Sequence, residues 1–157
     1  MQRMRDVGDG ERGQAMVEFA MVVGLFLMCL LGAMAASVYT VQRAAAVTGV
    51  AAGARVAAGG TTAPGGANTP DLAEAVPAVA RVVTPVLLGT RIRQLRPDRD
   101  CPALAAIPSD EVDICAARWA DVVTVRLRGR PATGVPIPGL DWSLDLAAEV
   151  HAVTFAA

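Results

Sequence analysis

The chain lacks the residue types on which several common functions depend. It has no lysine, one histidine, three cysteines and only 4% aromatic residues. One histidine and three cysteines give almost no material for a zinc site with four Cys/His ligands. The 14 basic and 15 acidic side chains leave a net charge of -1. Without the positive excess that neutralises phosphates, nucleic-acid binding is not predicted.

Signatures of catalysis are missing as well. The sequence contains no GxSxG, P-loop, HExxH or dinucleotide-binding fingerprint. Asp145, Glu149 and His151 are close enough in sequence for general acid–base work, but solvated charges that pair across two strands are the simpler interpretation. Residues 110–113 lack the glycine and terminal glutamate of an EF-hand calcium loop and are interpreted as a solvated turn. We therefore predict no enzyme, no cofactor, no metal and no small-molecule substrate.

Hydrophobic residues are abundant instead and are concentrated near the N-terminus. They form 54% of the chain, above the usual share for soluble domains. Residues 19–38 carry no charge and only Ser37 as a polar side chain, and a helix of this length spans about 30 Å, one hydrocarbon thickness. Gly24 and Gly32 suit close packing between membrane helices. We predict a transmembrane helix, with the core helix of a soluble protein as the alternative.

The charges beside this span predict its orientation. Arg3, Arg5 and Arg12 precede the span, whereas Arg43 alone follows it closely. Because positive residues are retained on the cytoplasmic side, we expect a cytoplasmic N-terminus and an exported C-terminal part. Disulfides persist outside the cytoplasm, so Cys101 and Cys115 are a candidate disulfide pair; the sequence leaves open whether they are bridged.

Three kinds of membrane segment fit these residues. The span could be a retained anchor, a secretory signal peptide or a pilin-like segment that is cleaved on its polar side. A signal peptidase could cut after Ala35, in the triplet Ala33-Met34-Ala35, and release a secreted binding module. The apolar run is longer than a usual signal peptide core and its helical pattern continues beyond that cut, which favours the other two interpretations.

Glu18 lies within the apolar sequence, with no arginine within one helical turn. A carboxylate at the centre of a membrane helix costs about 2.5–3.5 kcal/mol, and less near the interface. It therefore needs a partner or a functional reason, unless its side chain simply reaches the lipid headgroups.

The residues around this glutamate carry a family resemblance. Residues 11–19, ERGQAMVEF, resemble the processing signal of class III prepilins, and residues 12–58 resemble the TadE-like family of tight-adherence, Flp-type pilus proteins. The resemblance implies a minor pilin or pseudopilin that a prepilin peptidase cuts after Gly13. Gln14 would then be the first residue, and Glu18 the fifth, followed by Phe19.

The resemblance also implies location and partners. The protein would sit in the bacterial cytoplasmic membrane, in contact with lipid, the prepilin peptidase, other pilin or pseudopilin subunits and the assembly platform. In a bundle, the new α-ammonium of Gln14 could approach Glu18 of a neighbouring subunit, so that two costly membrane charges offset each other. Glu18 and Phe19 are the predicted assembly residues.

Beyond the span we predict an α+β arrangement. The chain is divided into a leader 1–13, a helix 14–58, a breaker-rich linker 59–70 and a small exported domain 71–157. Tyr39 is predicted as an interfacial anchor, with Gln42 and Arg43 emerging into water. The alanine-rich surface over 44–54 could pack on a neighbouring helix or on its own exported domain.

The exported domain is predicted to contain one helix and an antiparallel sheet. Thr69 as N-cap and Pro70 in the first turn predict a helix that ends at about Val83. Alternation predicts strands over 122–128 and 144–150. Residues 91–97 alternate only weakly, and 129–142 are too irregular for a tight hairpin turn.

Overall fold

The computed structural model describes the backbone of residues 7–59, 61–62, 68–69, 71–97, 101–132 and 144–153. Its elements are α1 Val7–Gly59, β1 Thr61–Thr62, β2 Asn68–Thr69, α2 Leu72–Val83, β3 Arg91–Gln94, a short 3-10 helix Leu104–Ala106, β4 Glu111–Trp119, β5 Val122–Gly129 and β6 Leu146–Val153. The chain divides into two units, Met1–Ser37 and Val38–Ala157. The predicted α+β class, with a long N-terminal apolar helix and a second helix, is confirmed.

The first unit consists of the N-terminal part of α1. The helix begins at Val7, ahead of Gln14, because adding turns to an existing helix costs little. Nearly all of its large apolar side chains after Gln14 are exposed, among them Met16, Phe19 and Met28. Among the described residues, one helix is long and apolar enough to cross a membrane, and its most apolar window has no buried residue.

The second unit has a four-stranded sheet in the order β3-β4-β5-β6. β4 pairs antiparallel with β5, and β5 pairs antiparallel with β6. β3 pairs parallel with β4, from Arg91 opposite Glu111 to Gln94 opposite Ile114. The sheet is therefore mixed, whereas the sequence predicted an antiparallel one. A separate pair, β1 with β2, is antiparallel and lies within the predicted linker.

The predicted limits are confirmed for the first of the two strands and shifted for the second. β5 covers the predicted residues, and Val123, Val125 and Leu127 face the core as expected. β6 begins at Leu146 and runs to Val153, later than predicted. Leu144 is exposed and precedes the strand. The register explains this shift, because Gly129 at the end of β5 pairs with Leu146.

The interpretation of residues 110–113 as a solvated turn was wrong. Only Asp110 is in a turn; β4 starts at Glu111. Val112, Asp113 and Ile114 are all fully buried. A strand that is covered on both faces has no alternation of apolar and polar residues, so the pattern that revealed β5 is missing from β4.

Helix α2 starts later than predicted and ends where predicted. The N-cap is Asp71, whose carboxylate accepts a hydrogen bond from the Glu74 amide at 3.0 Å. Thr69 lies in β2 instead. The helix continues through Pro77 and ends at Val83.

One face of α1 residues 42–57 packs on its own unit. Of the predicted alanine-rich surface, Ala54 packs there, whereas Ala44 and Val47 are exposed. Ala46, Val50, Ala54 and Ala57 belong to the buried core with α2 and the sheet. At Gly53, a Cβ atom would lie only 2.5 Å from Cγ2 of Val79, so glycine permits this close approach of the two helices.

The polar residues at the start of this packed stretch were only partly predicted. Gln42 does not emerge into water: it is 4% exposed, and its Nε2 donates to the Ala132 carbonyl at 3.4 Å. A buried amide needs such a partner. Arg43 is exposed. Tyr39 donates its hydroxyl to the Asp145 carbonyl at 3.4 Å, a contact within the second unit.

The turn between β4 and β5 predicts a stabilising substitution. Ala120 has φ 52°, a left-handed conformation that costs a non-glycine residue about 1–2 kcal/mol. We expect Ala120→Gly to raise the free energy of unfolding by about 0.5 kcal/mol, since the greater freedom of glycine in the unfolded chain offsets part of the relief. Denaturant unfolding of the full chain in detergent micelles measures it.

Ala103 provides the matched control. It is also exposed, but its φ is -59°, so Ala103→Gly relieves no strain and should lower stability slightly. If both substitutions changed stability equally, the strain at Ala120 would be contradicted.

Candidate processing and assembly segment

The predicted processing site lies in a regular helix. Gly13 and Gln14 are both within α1, and from Gln14 onward the side chains of this part of the helix are largely exposed. Nε2 of Gln14 donates a hydrogen bond to Oε1 of Glu18 at 3.1 Å. The two residues are one helical turn apart, so their side chains lie on the same face. Gln14, the predicted N-terminal residue after cleavage, and Glu18, the predicted registration residue, are therefore neighbours.

Among the described side chains of residues 14–37, Glu18 is the one charged group, and it lies on an apolar surface. Met16 and Val17 precede it and Phe19 follows it, and all three are exposed, with Phe19 at 71%. Lipid is a favourable surrounding for these apolar side chains but not for the carboxylate. The one neutral amide donor compensates the carboxylate's charge only in part. The arrangement leaves Glu18 able to accept a further donor or a positive charge.

The exposed apolar surface continues through the rest of the first unit. Met21, Leu25, Met28 and Leu31 are exposed, as are the small residues Gly24 and Ala33. Apart from the adjacent residues and backbone of α1 itself, nothing in the described residues lies within 4 Å of a Cβ atom built at Gly24 or Gly32. Both glycines are open to close approach by another helix.

This segment is the one that matches a known family. Residues 13–55 match the model of the TadE-like protein family. The predicted resemblance is confirmed over these residues, which begin at Gly13 and include Glu18 and the whole predicted span. We call residues 13–55 the TadE-like segment. No curated protein and no solved structure matches the chain.

The TadE-like segment therefore extends into the second unit. Its residues up to Ser37 form part of the exposed first unit, and the remainder runs through the core positions Ala46, Val50 and Ala54. The match thus covers both the apolar span and the part of α1 that packs against α2.

Outside the TadE-like segment, two cysteines are joined. Cys101 and Cys115 form a disulfide with their Cα atoms 5.6 Å apart. Cys115 is on β4 between the core residues Ile114 and Ala116, so it points to the sheet face opposite the helices. The bond fixes the crossover from β3 to β4 on that face. The third cysteine, Cys29, is free and exposed.

A buried charge on the same face was not predicted. Asp113 has no exposed surface, and its two carboxylate oxygens accept hydrogen bonds from Nε and Nη2 of Arg93 at 2.7 and 2.8 Å. The hydrogen bond to Asp113 and the charge of that carboxylate raise the pKa of Arg93 above its ordinary value. This bidentate pair joins β3 to β4, and the sequence signal for it was the residue pattern Arg-x-Arg opposite Glu-x-Asp.

Glu149 is paired across strands with arginines of β5, as predicted, whereas Asp145 lies before β6 and pairs with Arg130, just beyond β5. Glu149 contacts Arg126 at 2.9 Å and Arg128 at 3.7 Å, and Asp145 contacts Arg130 at 3.0 Å. His151 lies 3.1 Å from Glu149 and 3.0 Å from the hydroxyl of Thr124. Among the side chains in 14–59, 71–97, 101–132 and 144–153, no group of three metal-ligand residues is placed to hold an ion.

Proposed function

We propose that this chain is a membrane-anchored minor pilin or pseudopilin of a tight-adherence pilus assembly and secretion system. The observation that carries the proposal is the position of Glu18, a lone carboxylate on the exposed apolar helix that begins the TadE-like segment. A prepilin peptidase would cleave after Gly13, and the first residue of the processed chain would be Gln14. The role is structural rather than enzymatic.

The geometry supports a specific use of the two residues. Gln14 and Glu18 are four residues apart in one helix and their side chains are hydrogen-bonded, so the backbone nitrogen of Gln14 lies one helical turn before Glu18. Cleavage would turn that nitrogen into an ammonium group. In a bundle of parallel helices, the ammonium of one copy and Glu18 of another would form an ion pair in lipid, where each charge alone is costly. This pairing would register the subunits along their axes.

The proposal also assigns a location to the apolar surface of the first unit and to the second unit. Exposed apolar side chains of the first unit would contact lipid and neighbouring pilin or pseudopilin helices, and the unit Val38–Ala157 would be exported. The chain would be held in the cytoplasmic membrane by a single pass, with its N-terminus cytoplasmic before cleavage. The assembly platform would then take the processed subunit.

The first experiment determines the N-terminus of the mature protein. We expect intact mass and N-terminal peptide mapping to give a chain that starts at Gln14 when the host contains the matching prepilin peptidase, and an uncleaved chain when that peptidase is absent. A start at Ala36 would instead support the secreted binding module released after Ala35. An uncleaved chain in both hosts would overturn the processing.

Two substitutions at Glu18 separate its charge from its size. We expect both Glu18→Gln and Glu18→Ala to be cleaved normally and to recover pilus partners about tenfold less well, the change that corresponds to about 1.4 kcal/mol of lost pairing. Glutamine keeps the shape and hydrogen-bonding capacity but not the charge. Wild-type recovery by Glu18→Gln would show that the ion pair is not the basis of assembly.

A further inference from the structure

The two edges of the sheet differ in length and charge. β6 contributes eight residues to one edge and β3 four residues to the other. In the part of the chain that the structure describes, neither strand has a partner on its outer side. The outer backbone groups of an edge strand are a template for pairing with another chain, unless proline, a bulge or charge protects the edge. β6 contains no proline.

The directions of the strands decide which edges can meet. β3 is parallel to β4, while β4 and β6 are both antiparallel to β5. β3 and β6 therefore run in the same direction. If β3 of a second copy were added beside β6, the pair would be parallel, and both copies would keep the same orientation. Two β6 edges facing each other would require one copy to be turned end over end.

Side chains at the two edges are complementary. On the sheet face opposite the helices, Arg91 of β3 is 84% exposed and makes one long contact with an acid, 3.9 Å to Glu111. β6 places Glu149 on that face, where it is paired with Arg126 and Arg128 of β5, so Arg91 of a neighbouring copy would continue the row of alternating charges. On the core face, Ile92 of β3 and Val150 of β6 are both only partly buried against the core. Setting Ile92 beside Val150 also sets Arg91 beside Glu149, because side chains alternate with a period of two.

The helix layer has matching surfaces at the same two edges. Beside β3, a shallow groove of 610 Å³ is lined by Pro77, Ala80, Arg81, Thr84, Pro85 and Gln94. α1 lies toward the β6 side of the sheet, since Tyr39 bonds to the Asp145 carbonyl just before β6 and a Cβ atom at Gly53 would contact Val125 of β5. Ala44 and Val47 are on an exposed face of this helix. Gly49 and Gly53 contact α2; at 100° per residue, Ala44 and Val47 point away from α2. Val47 is 51% exposed. In an edge-to-edge array, this α1 face would meet the groove of the next copy.

We propose that the unit Val38–Ala157 binds a second copy of this chain edge to edge. β6 of one copy pairs in parallel with β3 of the next, Arg91 lies against Glu149, and the Val47 face of α1 packs into the groove beside α2. Because the two surfaces are different, the contact repeats from copy to copy and does not close into a two-fold dimer. The proposal concerns the second unit alone and is independent of cleavage and of the role of Glu18.

Crosslinking of the full chain in membranes tests this contact. In a Cys29→Ser background, Arg91→Cys and His151→Cys place one exposed thiol near each edge, within reach of a short bis-maleimide. With both substitutions in one chain, we expect a ladder of dimers, trimers and higher species. Each single variant should give no crosslinked species, because a thiol at one edge has no thiol opposite it. The double variant Arg91→Cys/Arg118→Cys is the matched control for random collision, since Arg118 is exposed near the β4–β5 turn.

A charge reversal tests the same contact without new thiols. Arg91→Glu places a negative charge against Glu149 of the next copy. It should reduce association, measured without a crosslinker as the oligomer fraction in sedimentation, by about tenfold. Arg118→Glu should leave that fraction unchanged. No ladder above the collision control, or dimers from His151→Cys alone, would overturn the proposal, as would equal association of the two reversed variants.

Discussion

Gly129→Ala is expected to lower the free energy of unfolding of the second unit by about 3 kcal/mol, at the upper end of the usual cost of overpacking. Gly129 lies in β5 between Val112 on β4 and Leu146 on β6. A Cβ atom here would lie 2.5 Å from the Cα of Val112 and would also clash with the Glu111 carbonyl. Both are backbone atoms of the paired strand, so no side-chain rotation relieves the contact.

Guanidinium unfolding of the full chain in detergent micelles, followed by tryptophan fluorescence, measures this effect. Gly59→Ala is the matched control, since Gly59 is exposed at the end of α1 and a Cβ atom there meets nothing within 4 Å. Its midpoint should stay close to that of the wild type. Equal midpoints for the two variants would contradict the close approach of β4 and β5 at Gly129.

Cys101→Ser is expected to have a comparable cost, about 3 kcal/mol. The disulfide closes a loop across a sequence separation of 14 residues, and a bond across such a loop removes conformational freedom from the unfolded chain. Cys101 is the better position for the test, because Cys115 is buried and its replacement would also disturb packing. The same unfolding measurement under non-reducing conditions gives the value.

Cys29→Ser serves as the control for this prediction. Cys29 is free and exposed, so its replacement should leave the unfolding midpoint unchanged. Reductant should lower the midpoint of the wild type and of Cys29→Ser, but not that of Cys101→Ser. A native protein in which Cys101 and Cys115 both react with a thiol reagent would exclude the bond.

The features that the sequence predicted well are those with local, periodic signals. The apolar run of α1 and the alternation of β5 each repeat over many residues, so no tertiary information is needed to recognise them. The candidate site could be predicted from the sequence because its signal is also local: every neighbour of Glu18 from Ala15 to Ala20 is apolar. The family resemblance then gave the position of Gly13 relative to Glu18.

The features that the sequence missed depend on contacts between distant residues. β4 is covered on both faces, and Asp113 within it is paired with Arg93, 20 positions away, so its charge resembled that of a solvated turn. Gln42 resembled a residue entering water, because its partner Ala132 is 90 positions away. The parallel pairing of β3 with β4 has no sequence signal of its own.

The packing of α1 against α2 has a consequence for how the protein can be divided. A soluble fragment that began at residue 71 would contain every strand of the four-stranded sheet but would lack the surface formed by Ala46, Val50 and Ala54. Val79 and Val125, which are fully buried in the whole unit, would then lose their α1 contacts near Gly53. A usable fragment has to begin near Val38, where the second unit begins.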